Sequence, residues 1–329
     1  MFSSQRVYQV CFRAASGLPL PARPLIRLVI ESAIARTQRD DKVLVCNYIW
    51  MSNHPHISLV SLDVNALKAF YGELKKRITD MLKRLLGLEK LHLWEDQEPR
   101  VMELLDLDKA IDDHVYYFLN PSNAGLVDSI DDYPGCSTWK AFCNCEPSVS
   151  AKVEYSVPWI RLPSLPVLPR GKLSIAQELQ IITQLRVDNK IMEKVTVYPL
   201  AWLKVFGVTE PEEIEATRRK IIQRVRDGEK ERSEKRAKAG RSVVGKARLE
   251  CESIQQSGYK PKKNGRSVFF LSSCKELRIA YYQRYQEFCT QCRKCYLLMC
   301  QGIKDIVWPD GAFLPPIPPL VNPMEFKGV

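Results

Sequence analysis

The chain has 329 residues and no uncharged apolar run of about 18, so no membrane-spanning helix is readable in it. Its first residues, Met1-Phe2-Ser3-Ser4-Gln5-Arg6, lead straight into a strand-like segment, so no signal peptide is readable there. A paired cysteine framework is also lacking. The 11 cysteines are odd in number and scattered from Cys11 to Cys300, which excludes a small disulfide-stapled secreted fold and predicts a reducing, cytoplasmic setting. No internal repeat is visible, and histidine is scarce, with 4 in the chain.

What is there is ordinary globular material: 45% apolar and 26% charged residues, enough for two domains. The formal charge of +11 is unevenly placed. Residues 1–150 carry 17 Lys and Arg against 19 Asp and Glu, whereas residues 151–329 carry 32 against 19. The basic excess therefore lies entirely in the second half, where it favours a phosphate-bearing partner over a merely solvated surface.

Five prolines between Pro147 and Pro169 predict a linker over residues 146–173, since repeated proline interrupts both helix and sheet. Before it, strands are expected at Arg6–Ala14, Val43–Trp50, His54–Val60 and Leu91–Trp94, with the second and third forming a hairpin across Ser52-Asn53. Helices are expected at Leu25–Arg39, at Asp63 or Asn65 through Leu85, and at Asp106–Leu119, stopped by Asn120-Pro121. The order β-α-β-β-α-β-α predicts an α+β fold, a mainly antiparallel ferredoxin-like sheet with packed helices. Residues 174–329 read as a mostly helical basic region with helices at Ile175–Lys194, Glu210 to about Gly240, and Cys274–Cys300.

Two of the scarce histidines are His54 and His56. On a strand, positions i and i+2 project from one face, so two neutral imidazoles can converge on one ion and leave coordination positions open; the alternative is two histidines brought close by chance. Tyr116 and Asn120, in Asp112-Asp113-His114-Val115-Tyr116-Tyr117-Phe118-Leu119-Asn120-Pro121, stand four apart and so share a helix face. A phenol can act as a nucleophile and a carboxamide oxygen as a hard ligand. Such aromatics also serve as core packing, and Tyr117 competes for any role given to Tyr116.

Trp50-Met51-Ser52-Asn53-His54-Pro55-His56, a basic helix, Tyr116-Tyr117-Phe118-Leu119-Asn120-Pro121, then Gly125-Leu126-Val127, Asp132-Tyr133-Pro134 and Ser137 together resemble the single-tyrosine HUH transposases. The REP-associated tyrosine transposases are the branch most similar, and the resemblance covers residues 5–142, within a catalytic domain of residues 1–145. It implies a ferredoxin-like core in which His54, His56 and Asn120 hold Mg²⁺ or Mn²⁺ and Tyr116 attacks single-stranded or hairpin DNA, forming a 5′-phosphotyrosine link. No nucleotide cofactor and no membrane are implied, the protein acts as a monomer or a dimer, and its place is the cytoplasmic nucleoid. The sequence departs from the family pattern at Pro55, where a bulky apolar residue is usual, and at the acidic stretch Leu93-Trp94-Glu95-Asp96-Gln97-Glu98. Those departures keep two alternatives open: a domesticated hairpin-DNA-binding protein without catalysis, and an unrelated metallohydrolase using His54 and His56 with Asp112 or Asp113.

In the second half, Arg218–Arg248 holds 13 Lys and Arg against 4 Asp and Glu. Arg218, Arg219, Arg224, Arg226, Lys235 and Arg236 on a helix, with Lys262, Lys263 and Arg266 in a following loop, are the expected DNA-backbone contacts. Cys289, Cys292, Cys295 and Cys300 have metal-like spacing, yet they fall within one helical pattern, where they would form a drifting stripe of core thiols.

Overall fold

Strand β1 (Arg6–Cys11) is followed by helix α1 (Pro24–Thr37), then by the hairpin of β2 (Val43–Trp50) and β3 (Pro55–Ser61). Helix α2 (Val64–Leu85) leads to β4 (Arg100–Leu104) and α3 (Leu107–Phe118), completing the order expected from the sequence. The structure is a computed structural model that describes residues 5–15, 20–38, 42–96, 98–169, 173–253, 270–303 and 305–315. The strands lie side by side as β2-β3-β1-β4, each antiparallel to its neighbour, and a short β7 (Phe270–Leu271) adds parallel to β4. The result is a mixed α+β fold on a mostly antiparallel sheet.

Side-chain alternation on the central strands supplies two cores. Tyr8, Val10, Ile57 and Leu59 face α1 and α2, whereas Val7, Ile49 and Val60 join a second cluster. That second cluster includes α3, α7 (Ala201–Val205) and α8 (Pro211–Lys238). With both sheet faces covered, every residue of β3 is buried. The amphipathic pattern of α2 is realised in full. Leu67, Phe70, Tyr71, Leu74, Ile78, Met81, Leu82 and Leu85 are buried, and the Asp63 carboxylate caps the helix by accepting from the Asn65 N–H.

The proline-rich segment is not a linker. Strand β5 (Val153–Pro158) pairs antiparallel with β6 (Met192–Val197), and Ile160, Leu165 and Leu168 are buried in the α1–α2 core. Proline is tolerated because Pro158 only ends the strand and Pro163 sits in a 3-10 turn over Leu162–Ser164. The backbone is also tied to α2, with Leu168 N–H donating to the Leu85 carbonyl at 2.8 Å and Arg84 Nε to the Leu165 carbonyl at 3.1 Å. One compact unit therefore runs Met1–Leu271, past the expected boundary at residue 145.

Two further expectations are corrected. Leu91–Trp94 is extended but makes a single bridge, Ala14 to Trp94, and the strand lies later, at Arg100–Leu104. The helix expected to reach Lys194 is α6 (Ile175–Asp188), which ends where the buried Asn189 donates from Nδ2 to the Leu185 carbonyl. β6 follows, so the region after residue 174 is not all helical. Between α3 and α8 stand the short helices α4 (Asn120–Asn123) and α5 (Trp139–Asn144). After α8 come α9 (Lys246–Glu250) and, in the second compact unit Ser272–Val329, α10 (Lys275–Cys300). Cys289, Cys292, Cys295 and Cys300 lie along one continuous helix, α10, but they are not a stripe of core thiols: Cys289 is exposed, Cys292 and Cys300 are half-buried, and Cys295 alone of the four is buried, turned toward the Val307 carbonyl at 3.5 Å. Among the described residues no helix is long and apolar enough to cross a membrane.

Candidate functional site

The hairpin that presents the histidines closes tightly, with Met51 N–H donating to the His54 carbonyl at 2.9 Å. His54 is the last turn residue rather than a strand residue. Pro55 is the first residue of β3, opposite Trp50, where its missing N–H breaks no interior ladder bond. The turn end of the hairpin is held by residues of the segment 133–138. Tyr133 Oη donates to the Trp50 carbonyl at 2.7 Å, Ser137 bridges Ile49, and Tyr48 N–H donates to Thr138 Oγ1 at 2.9 Å.

The two imidazoles converge, with Nε2 of His54 3.1 Å from Nε2 of His56. Burial pushes the His54 ring down to about 4 and the His56 ring to about 3, with His54 and Arg13 adding to the effect on His56 and Arg13 to that on His54. Both rings are therefore neutral near pH 7 and carry a lone pair each. Asn53 Oδ1 stands 2.6 Å from His54 Nδ1, so it accepts that N–H and directs the His54 lone pair from Nε2 toward His56.

Tyr116 lies in the last turn of α3, and Asn120 opens α4 just beyond it. Asp106 caps α3 by accepting from Lys109 N–H, and the helix ends at Phe118. Pro121 does not stop the helical path, because it takes a first-turn position of α4, where an N–H is not needed. Asn120 is thereby buried with Nδ2 2.9 Å from His56 Nε2. The turn after α4 requires Gly125, whose φ of 67° is left-handed. Tyr116 meets the His56 ring edge-on, with centroids 5.6 Å apart, and is 51% exposed. Tyr117 stacks on the other side of that ring at 6.3 Å and is fully buried, which separates the two tyrosines by access. Burial raises the Tyr116 phenol, Cys11 and Asp113 add to this, and Arg13 opposes it.

These donors fit a small divalent ion. Ligands at about 2.1 Å in octahedral geometry stand roughly 3.0 Å apart at adjacent positions, close to the separation of the two histidine nitrogens. Among the described residues no three His, Cys, Asp or Glu side chains converge, and the polar group beside the two imidazoles is the Asn120 carboxamide, whose Nδ2 faces His56. Asp112 is held by Arg224 at 2.8 Å, and Asp113 is buried.

Three features escaped the sequence reading. Gln9 is buried on β1, opposite Ser58, with Nε2 3.1 Å from His56 Nδ1. Arg13, just past β1, supplies the positive charge felt by both histidines and Tyr116. Tyr133, quoted only as part of a motif, anchors the hairpin. A lone Gln or Arg at a strand end has no spacing signal that marks it.

The basic residues of α8 are largely engaged within the fold. Arg218 contacts Glu215 and the Cys145 carbonyl, and Arg219 contacts Glu215 at 2.6 Å. Arg224 holds Asp112, and Arg226 reaches Asp131 at 2.5 Å and Glu229 at 2.9 Å while lying over the Trp139 ring. Lys235 pairs with Glu231, and Arg236 pairs with Asp128 and donates to the Ser122 carbonyl. Lys262, Lys263 and Arg266 lie outside the described residues.

No protein-family model matches the chain, and no curated protein matches it. Among solved structures, a REP-associated tyrosine transposase bound to a REP hairpin is similar at 16% identity and a TM-score of 0.34, over 43% of this chain and 81% of that one.

Proposed function

We propose that the protein is a metal-dependent transposase that cuts and rejoins single-stranded DNA at hairpin sequences, with Tyr116 as nucleophile. The observation that carries this reading is the half-exposed Tyr116 edge-on to His56, beside the facing nitrogens of His54 and His56 and the Asn120 amide. The strand order β4-β1-β3-β2 within a β-α-β-β-α-β path supports a ferredoxin-like core. The motif residues supply DNA as the substrate class.

In this reading His54, His56 and Asn120 hold Mg²⁺ or Mn²⁺. The ion when bound polarises the scissile phosphate and offsets charge on its oxygens. The Tyr116 oxygen forms a bond to phosphorus as the bond to the 3′-oxygen breaks. The phenolic proton passes to solvent, and the departing 3′-oxygen takes one up to become a hydroxyl. A raised phenol favours the protonated form, so the positive charge of Arg13 acts in the useful direction. Attack of another 3′-hydroxyl on the phosphotyrosine link reverses the step and joins the new end, which needs no nucleotide cofactor.

The test is a denaturation-resistant adduct with single-stranded hairpin DNA in Mn²⁺. The wild type and Tyr117→Phe should form it, and Tyr116→Phe should not. An adduct that persists without Tyr116 would refute the assignment, as would a wild type that binds the hairpin without linking to it. Turnover that requires His56 but neither tyrosine would identify a hydrolase instead.

A further inference from the structure

The register of the sheet brings a further cation to the row of His56. His56 on β3 lies opposite Cys11 on β1, and Cys11 lies opposite Arg100, the first residue of β4. Residues directly opposite in an antiparallel pair project from the same face, so His56, Cys11 and Arg100 form one row across the sheet. That face is the one α3 covers, because Val7 and Leu104, in step with Cys11 and Arg100 along their strands, join the cluster of Ile111 and Val115. At about 4.8 Å per strand, the backbone of Arg100 stands roughly 10 Å from that of His56.

Tyr116 returns to the same row. It meets the His56 ring, so α3 runs back along β4 from the short turn between them. The lengths agree: the helix rises about 13 Å from Leu107 to Tyr116, and the strand spans about 13 Å from Leu104 back to Arg100. Arg100 is half-buried there, and its guanidinium makes no hydrogen bond or ion pair among the described residues. On the opposite face of β4, by contrast, Glu103 is bonded to Arg6 at 2.9 Å. Cys11 does not neutralise the guanidinium. Burial raises its thiol to about 11, with Arg13 and Arg100 opposing and Asp113 and Glu95 adding to the shift, so it is uncharged near pH 7. Five N–H donors in a fixed fork therefore stand beside the Tyr116 end of α3 with no acceptor among the described residues.

We propose that Arg100 is the seat of a DNA backbone phosphate and holds the single strand beside the phosphate that Tyr116 attacks. A planar guanidinium matches two oxygens of a phosphodiester at once. Mounted on a paired strand, it sets the height of the DNA relative to the tyrosine more firmly than a loop residue could. Arg100 takes no part in bond making, and its charge adds to the count of phosphates neutralised on binding. The placement next to the attacked phosphate rests on the reading of Tyr116 as nucleophile, whereas the phosphate seat itself does not.

The experiment titrates the full chain into fluorescent single-stranded hairpin DNA, read by anisotropy across a salt series. The strands are the natural one and a set carrying one uncharged methylphosphonate linkage at each position in turn. Arg100→Gln should weaken binding about 10-fold and flatten the slope of log K against log salt by about 0.7. It should leave the denaturant midpoint unchanged, which separates a lost phosphate contact from damage to the fold. Arg100→Lys, which keeps the charge, should keep the slope. One methylphosphonate position should weaken the wild type and leave Arg100→Gln unaffected, and in Mn²⁺ that position should adjoin the linkage at which the Tyr116 adduct forms. Wild-type affinity and slope in Arg100→Gln would overturn the proposal, as would losses from Arg100→Gln and from every methylphosphonate that simply add, or a wild type that does not bind the strand. A sensitive position away from the cleaved linkage would overturn the placement. An Arg100-dependent position in a wild type that forms no adduct would support the seat and refute the nucleophile, and an adduct in a protein whose affinity ignores Arg100 would do the reverse.

Discussion

Asp113 and His114 are consecutive buried residues on α3, and burial displaces their protonation in opposite senses. Burial raises the Asp113 carboxyl to about 7, with Lys109 opposing and Asp112 adding to the shift. Burial lowers the His114 ring to about 3, opposed by the bond from Nδ1 to the Ala110 carbonyl. The ring is stacked on Trp202 with centroids 4.2 Å apart. Between about pH 3 and pH 6.5 an unfolded His114 binds a proton that the folded one refuses, so acidification through that window destabilises the fold. Between pH 3.8 and about 7 the folded Asp113 keeps a proton that the unfolded chain releases, so its contribution falls as pH rises. Asp113→Asn removes that second dependence. It should stabilise the protein at pH 8 by on the order of 1–3 kcal/mol and leave it near wild type at pH 3.5. Urea midpoints at the two pH values measure this, and an equal effect at both would show that Asp113 is not held protonated.

Helix α8 shows what sequence periodicity can and cannot assign to an element. Its basic density marks a helix correctly, and the acidic start Glu212-Glu213 and basic last turn Lys235-Arg236-Lys238 suit the helix dipole. Density alone does not tell which cations face protein. The helix crosses the end of α3 at Gly228, where a Cβ would stand 2.6 Å from Leu119 Cδ1. The next residue, Glu229, is buried, accepting from Ile130 N–H at 2.6 Å and from Arg226. Glu229→Ala strands the buried Ile130 N–H and removes one of the two carboxylates that hold Arg226, and should cost about 2–4 kcal/mol, read as a lowered denaturant midpoint. A cost within about 0.5 kcal/mol, the range of ordinary surface changes, would show that α8 is not anchored there. Long amphipathic elements such as α2 and the β2–β3 hairpin were legible because their periods are sustained. β4, with the sequence Arg100-Val101-Met102-Glu103-Leu104, and β6 were not, because each is short and owes its strand state to a partner distant in sequence. The candidate site divides the same way. His54, His56, Tyr116 and Asn120 carry local spacing, whereas Gln9 meets His56 only through the register of β1 on β3.

Over the whole molecule, the net charge of +11 overstates the grip available for phosphate. Arg224, Arg226 and Arg236 pair with Asp112, Asp131 and Asp128 and hold α8 to the rest of the fold, whereas Arg218 and Arg219 share Glu215 and Lys235 pairs with Glu231 along the helix itself. Lys220, Lys230 and Lys238 are exposed on the same helix and make no ion pair among the described residues. At 100° per residue they fall within about 80° of one another around the axis, one side of a cationic face. Binding of single-stranded DNA releases counterions in proportion to the phosphates neutralised, with a slope of about −0.7 per contact in log K against log salt. Replacing Lys220, Lys230 and Lys238 together by Gln should therefore flatten the slope by about 2 and leave the denaturant midpoint unchanged. Replacing Arg226 by Gln should do the reverse, lowering the midpoint with little change in slope. Fluorescence anisotropy of a labelled hairpin across a salt series separates the two. If the lysine variant keeps the wild-type slope while the Arg226 variant flattens it, the phosphate contacts lie on the face that the fold has turned inward, and α8 must leave its Asp131 and Glu229 partners for DNA to bind.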